Sequence, residues 1–188
     1  MKVFTLFLVT ILLIWSSYGY VGFGIVGPLT TSAFTCLQSN VPNSNKYAVI
    51  RAYQNSHSPA GIDPNALQSL TNAYTAGFSA DLYVEICRGI NATSQINLVH
   101  KNVLTPLINK KKERFNGFFA IKVVLSSNPD CSWAGYSHSD NCNFLKEAVK
   151  AAGSLGSWFP TVFSTARIWA QFFGSSCDTF ASDTGSYL

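Results

Sequence analysis

Residues 80–87, ADLYVEIC, decide how the chain reads. On a strand, Leu82, Val84 and Ile86 point to one side, and Asp81, Tyr83, Glu85 and Cys87 to the other. A parallel strand sandwiched between two helix layers is apolar on both sides. One polar side fits a barrel, where it faces the lumen and its mouth. Residues 47–53, YAVIRAY, repeat the pattern, with Arg51 and Tyr53 on a face opposite Ala48, Ile50 and Ala52.

Outward from these two runs, strand-like segments begin near Tyr20, Tyr47, Ala80, Phe118 and Trp158, each followed by a helix-like or loop-rich stretch. Residues 61–77, GIDPNALQSLTNAYTAG, carry clear helix grammar. Asp63 can cap, Pro64 fits the first helical position, Leu67, Leu70 and Tyr74 share a face, and Gly77 ends the helix. Residues 94–104 place Ile96, Val99 and Val103 on one side. Residues 143–153 place Phe144, Leu145, Ala148, Val149 and Ala152 on a stripe closed by Gly153, and residues 165–174 carry Ile168, Trp169, Phe172 and Phe173. Alternating units of this kind predict an α/β fold with a parallel sheet and right-handed crossovers. A complete eight-unit barrel takes ~250 residues. About five units are present, so the expectation is an irregular, incomplete TIM-like barrel with its closing strands missing.

The first residues read differently. Lys2 precedes a mostly apolar run from Val3 to Trp15, followed by the small and polar Ser16, Ser17, Tyr18 and Gly19. This predicts a secretory signal peptide over 1–19 and one domain over 20–188. The apolar run is shorter than the ~20 residues a membrane span needs. A secreted or lumenal product without a membrane span is expected.

Without Lys2 the chain carries 12 Lys and Arg against 9 Asp and Glu. A surplus this small and dispersed is no nucleic-acid signature. The one charge run, residues 110–114, reads as a solvated loop or as a docking patch for an anionic glycan or bacterial surface. Five cysteines in an oxidising compartment predict disulfides with one thiol left over. Cys131 and Cys142, which enclose the turn-rich SWAGYSHSDN, are the expected pair. No cysteine spacing matches a zinc site, so no metal or cofactor is expected. His57, His100 and His138 are scattered, with His57 and His138 in turn-rich loops where a solvated imidazole is expected. Asn91-Ala92-Thr93 is a glycosylation sequon suited to the surface.

The order of YAVIRAY, DPNALQSLTNAYTAGFSADLYVEIC, FNGFFAIKVV, FLKEAVKAAGSLGSWFPTVFS and IWAQFFGSSCDTF resembles the secreted lysozymes of nematodes and amoebae, relatives of the family 25 glycoside hydrolases. The resemblance implies a barrel of five β/α units and three further strands, which cleaves bacterial cell-wall peptidoglycan with acidic residues at the C-terminal strand ends. It implies an aspartate on the first strand and an Asp-x-Glu on the fourth. Here the first position falls at or near Gly24, and the triplet falls on Lys122-Val123-Val124. Lysine and valine offer no carboxyl for acid catalysis.

Two arrangements of the remaining charges follow. Lys122 pairs with Asp81 or Glu85 across the lumen and plugs the former active site, or Asp81 and Glu85 form a relocated acid pair. Arg51, Tyr53, Tyr83 and Trp133, with Tyr136, are candidate sugar-binding residues, since flat rings stack on sugars. The resemblance also implies further strands past residue 173, leaving open edges on the first and fifth strands. Three outcomes stand for those edges: a truncated product, a sheet patched by its own N-terminal loop, or closure by another chain. The functional expectations are a binding or decoy module for peptidoglycan-like glycan, a lysozyme using Asp81 or Glu85, or an inert relic of innate-defence type.

Overall fold

A computed structural model describes residues 20–40, 45–111, 117–156 and 159–177. The expected signal peptide, the C-terminal residues 178–188 and the charged residues 112–114 lie outside them. All five expected strands form: β1 (Tyr20–Ile25), β2 (Asn45–Gln54), β4 (Ser79–Glu85), β5 (Phe118–Lys122) and β6 (Phe159–Phe163). A two-residue β3 (Gly61–Ile62), too short to show a period in the sequence, pairs antiparallel with β2.

The sheet runs β1-β2-β4-β5-β6, with these neighbours parallel. A doubly wound sheet reverses its strand order at a switch point. Here chain order and spatial order agree, as in a barrel wall. The closed barrel itself is not formed by the described residues: β1 pairs only with β2 and β6 only with β5, so the sheet is open.

The helices are α1 (Thr31–Asn40), α2 (Ala66–Thr75), α3 (Ala92–Val99), α4 (Thr105–Lys111), α5 (His138–Gly153) and α6 (Ala166–Phe172). None among the described residues is long and apolar enough to cross a membrane. Gly77 ends α2 as expected, at φ +79°, in a geometry a side chain at Cβ disfavours. The Phe78 N–H reaches the Ala73 carbonyl and the Gly77 N–H the Tyr74 carbonyl, the paired bonds of a Schellman stop. Helix α5 starts earlier than its apolar stripe, because Ser137 accepts from the Asp140 N–H and donates to the Asp140 carboxylate. Between α3 and α4 the chain makes a π turn over His100–Leu104, just before Pro106, whose missing N–H interrupts the helical ladder.

One face of the sheet packs against the helices. Leu82, Val84 and Ile86 join Leu70, Ile96, Val99, Val103 and Leu145 in a core of fully buried side chains. All five apolar positions of the α5 stripe are buried. Burying one such leucine contributes about 1.5–3 kcal/mol. The other face carries Tyr47 and Val49 from β2, Asp81 from β4, Phe118 and Ala120 from β5, and Thr161 and Phe163 from β6, around a cavity of about 450 Å³.

The face assigned to Tyr53 needs correction. Arg51 pairs with Tyr83, but Tyr53 pairs with Val84, so β2 carries a bulge between them. The extra residue turns Tyr53 to the core side, where it is 1% exposed. Arg51 and Tyr53 therefore do not share a face.

Candidate functional site

The C-terminal ends of β2, β4 and β5 bring Arg51, Glu85 and Lys122 together. Glu85 and Lys122 are register partners on adjacent parallel strands, which puts both side chains on one face. Lys122 Nζ lies 3.7 Å from Glu85 Oε1, and Arg51 Nη1 lies 3.5 Å from Glu85 Oε2. The Arg51 guanidinium also donates from Nε to Asp63 Oδ2 at 2.9 Å and from Nη2 to Gln54 Oε1 at 3.0 Å. Asp63 is 3% exposed, and its second oxygen accepts from the Asn65 N–H. The expected pairing of Lys122 with an acid is thus present, with Glu85 as the partner.

Asn65, not Asp63, occupies the cap position of α2, but the Asp63 carboxylate does accept from the Asn65 N–H at the start of that helix while its other oxygen anchors Arg51. An Asp-Pro pair before an apolar stripe signals only the local turn, and nothing in the spacing marks its contact with a strand residue.

Asp81 stands apart from this cluster. It shares the inner face with Glu85 four residues lower on β4, about 13 Å along an extended strand. Paired glycosidase carboxyl groups stand roughly 5–9.5 Å apart. Burial pushes the Asp81 carboxyl up to about 6, against a hydrogen bond from the Phe118 backbone N–H that favours its charged form. Its Oδ2 is buried and has no hydrogen-bond partner among the described residues.

Tyr83 lies between the two levels. Burial, reinforced by the Glu85 charge, pushes its phenol up to about 12. Lys122 Nζ sits 5.0 Å from the ring centroid, a cation–π contact that further occupies this ammonium. Gly24 is exposed on β1, and Val124 is partly buried just past β5. Neither they nor Lys122 supply a carboxyl at the positions implied by the resemblance.

Of the aromatic candidates, Trp133 is buried, its ring packed against Phe144 and Phe173 at 5.7 and 5.2 Å. Neither Trp133 nor Tyr53 presents a ring face to solvent. Tyr136 does, being 45% exposed. The guanidinium of Arg88 covers one side of its ring at 3.8 Å and also contacts Phe144 at 4.6 Å, which braces Tyr136. Tyr136 borders a second hollow of about 550 Å³ with Ser58, Asn128, Asp130 and Ser132, formed by the loops that follow β2, β4 and β5.

This rim is fixed covalently, and not by the expected bridge. Cys131 pairs with Cys87, and Cys142 with Cys177, while Cys36 is free and exposed. The reason is topological. Cys87 and Cys131 follow neighbouring strand ends and approach to a Cα separation of 4.3 Å, whereas Cys142 lies on a buried turn of α5. Gly89 packs against the Asp130 carbonyl so closely that a Cβ there would overlap it. Asn91 is exposed at the start of α3, and its side-chain oxygen caps Ser94 at 2.9 Å. His57 is exposed in a loop as expected, whereas His138, also exposed, opens α5 and its Nε2 lies 3.2 Å from the Gln171 carbonyl.

Comparison with solved structures places this architecture among muramidase folds. A muramidase from Acremonium alcalophilum superposes with a TM-score of 0.62 at 16% identity, covering 85% of this chain and 71% of that one. The modular autolysin LytC from Streptococcus pneumoniae gives 0.54 at 11% identity, covering 81% of this chain and 33% of that one. At such identities the likeness is one of fold. No curated protein sequence matches. The family model described as Lysozyme-like protein 1 matches residues 16–184, nearly the whole chain, and the chain therefore belongs to that lysozyme-like family.

Proposed function

We propose that this chain is a secreted relative of the family 25 glycoside hydrolases that binds peptidoglycan-like glycan without cutting it. The observation that carries this reading is the Lys122–Glu85 pair at the strand ends, where the resemblance puts acid catalysis. A carboxylate already engaged by an ammonium and a guanidinium offers its oxygens to them, not a proton to a glycosidic oxygen. Asp81 has the raised proton affinity of a general acid. It lies on an apolar wall, too far down β4 to work with Glu85 on one bond.

The hollow beside Tyr136 supports binding. Hydroxyl, amide and carboxylate groups line it, and a braced aromatic face stands at its edge, the combination that holds sugars. The two disulfides agree with an oxidising compartment. Co-sedimentation with insoluble peptidoglycan at low salt tests the reading. Retention of the protein, reduced about tenfold by Tyr136→Ala, is expected. Absence of retention would leave an inert family member.

A further inference from the structure

The cavity on the inner face of the sheet is a poor match for sugar. Its wall is almost wholly apolar, formed by the Tyr47 ring, Val49, Phe118, Ala120 and Phe163, and the polar groups among its lining residues are Thr161, Asp81 and the Tyr47 hydroxyl. Thr161 is already engaged, donating from its hydroxyl to the Phe159 carbonyl at 3.4 Å. Asp81 is 3% exposed and its Oδ2 is unpartnered. Leaving a buried carboxylate oxygen unpaired is costly, more so in surroundings of low polarity.

The cations on this face are committed elsewhere. Arg51 binds Asp63 and Glu85, and Lys122 binds Glu85 and the Tyr83 ring. The ionisable groups facing Asp81 are Tyr83 and Glu85 on its own strand, Tyr47 and Arg51 on β2, and Lys122 on β5, while β6 contributes Thr161 between Phe159 and Phe163. None of them is paired with Oδ2 among the described residues.

We propose that this cavity is a binding site for a small apolar molecule bearing one protonated amine, with the ammonium on Asp81 Oδ2 and the hydrocarbon against the aromatic wall. At about 450 Å³ the space lies within the range of small-molecule pockets. An ammonium supplies both the missing donor and the missing charge. The rings of Tyr47, Phe118 and Phe163 tolerate a cation where they would reject an anion. An alcohol supplies only a donor, a carboxylate repels, and a sugar leaves its hydroxyls unpaired against apolar carbon. The site is separate from the Tyr136 hollow, so its test stands apart from that of glycan binding.

Calorimetric titration of the purified protein at pH 7.5 with octylamine, octanol and octanoate reads the proposal directly. Octylamine is expected to bind at least about tenfold more tightly than octanol, and octanoate not at all. Asp81→Asn should remove that advantage, bringing octylamine to the level of octanol. Ala120→Phe, which fills the cavity and leaves Asp81 in place, should abolish binding of both. Lowering the pH to 5 should weaken octylamine, because the carboxyl, held at about 6 by burial, then takes up a proton. Equal affinity for amine and alcohol, no binding of either, or full octylamine binding by Asp81→Asn or Ala120→Phe would overturn the assignment.

Discussion

Glu85 and Lys122 meet 3.7 Å apart as register partners at the ends of adjacent strands, and Arg51 holds the other Glu85 oxygen. The three links of this chain differ in depth. The Lys122 side chain is 41% exposed, whereas that of Arg51 is 13% exposed and that of Asp63 3%. Exposed pairs contribute about 0–1 kcal/mol, and breaking a buried one costs about 3–5 kcal/mol. Lys122→Met should therefore change stability by less than about 1 kcal/mol. Asp63→Asn, which leaves Arg51 short of its closest counter-charge, should cost about 3 kcal/mol, with Glu85→Gln between them. Chemical denaturation of the three variants checks the ranking, and a Lys122 effect as large as that of Asp63 would contradict it.

Asp81 predicts a pH dependence of the unusual sign for a carboxylate. Its folded-state value of about 6 lies above the ordinary 3.8, so between those values the native state holds the proton more tightly than the unfolded chain. This contribution stabilises the fold at the acid end and is lost as pH rises from about 4 to 6. Asp81→Asn should be more stable than the parent at pH 7, by up to about 3 kcal/mol, and should lose that advantage near pH 4. Thermal melts of both proteins at the two pH values measure the crossover.

The Cys87–Cys131 bridge closes a separation of 44 residues at the rim of the site. Loop-closure entropy assigns such a bridge about 4 kcal/mol. Replacing both cysteines with alanine should lower Tm by roughly 10 °C, at about 2–4 °C per kcal/mol for a chain of this size. Peptide mapping without reduction should recover Cys87 linked to Cys131 and Cys142 linked to Cys177. A Cys131–Cys142 peptide would contradict the pairing.

The Asn91 side-chain oxygen caps α3, and the glycan that the sequon predicts would sit on the amide nitrogen. For protein from a glycosylating host, endoglycosidase treatment should shift the mass of the parent but not of Asn91→Asp or Asn91→Gln. Asn91→Asp keeps the cap, whereas Asn91→Gln should lose about 1 kcal/mol of stability.

The strand β4 was legible because it alternates cleanly. Leu82, Val84 and Ile86 against Asp81, Tyr83 and Glu85 is a period no helix produces, and it predicted both the core side and the inner side. The bulge after Arg51 was not legible, since one extra residue leaves the composition unchanged while reversing where Tyr53 points. The Arg51 contact of Asp63 and the pairing of the cysteines were not legible for a related reason. Their partners are set by which strand ends lie side by side, and local spacing carries no record of that. Trp133 and Tyr136 looked alike as loop aromatics, and only packing separates the buried ring from the exposed one.

Glycan binding without cleavage, as proposed, requires that the end of β5 support no acid catalysis. Incubating the purified protein with peptidoglycan and measuring released reducing ends tests it most directly. The account predicts release no greater than in buffer, for the parent and for Glu85→Gln alike. Release by the parent that Glu85→Gln or Asp81→Asn abolishes would contradict it.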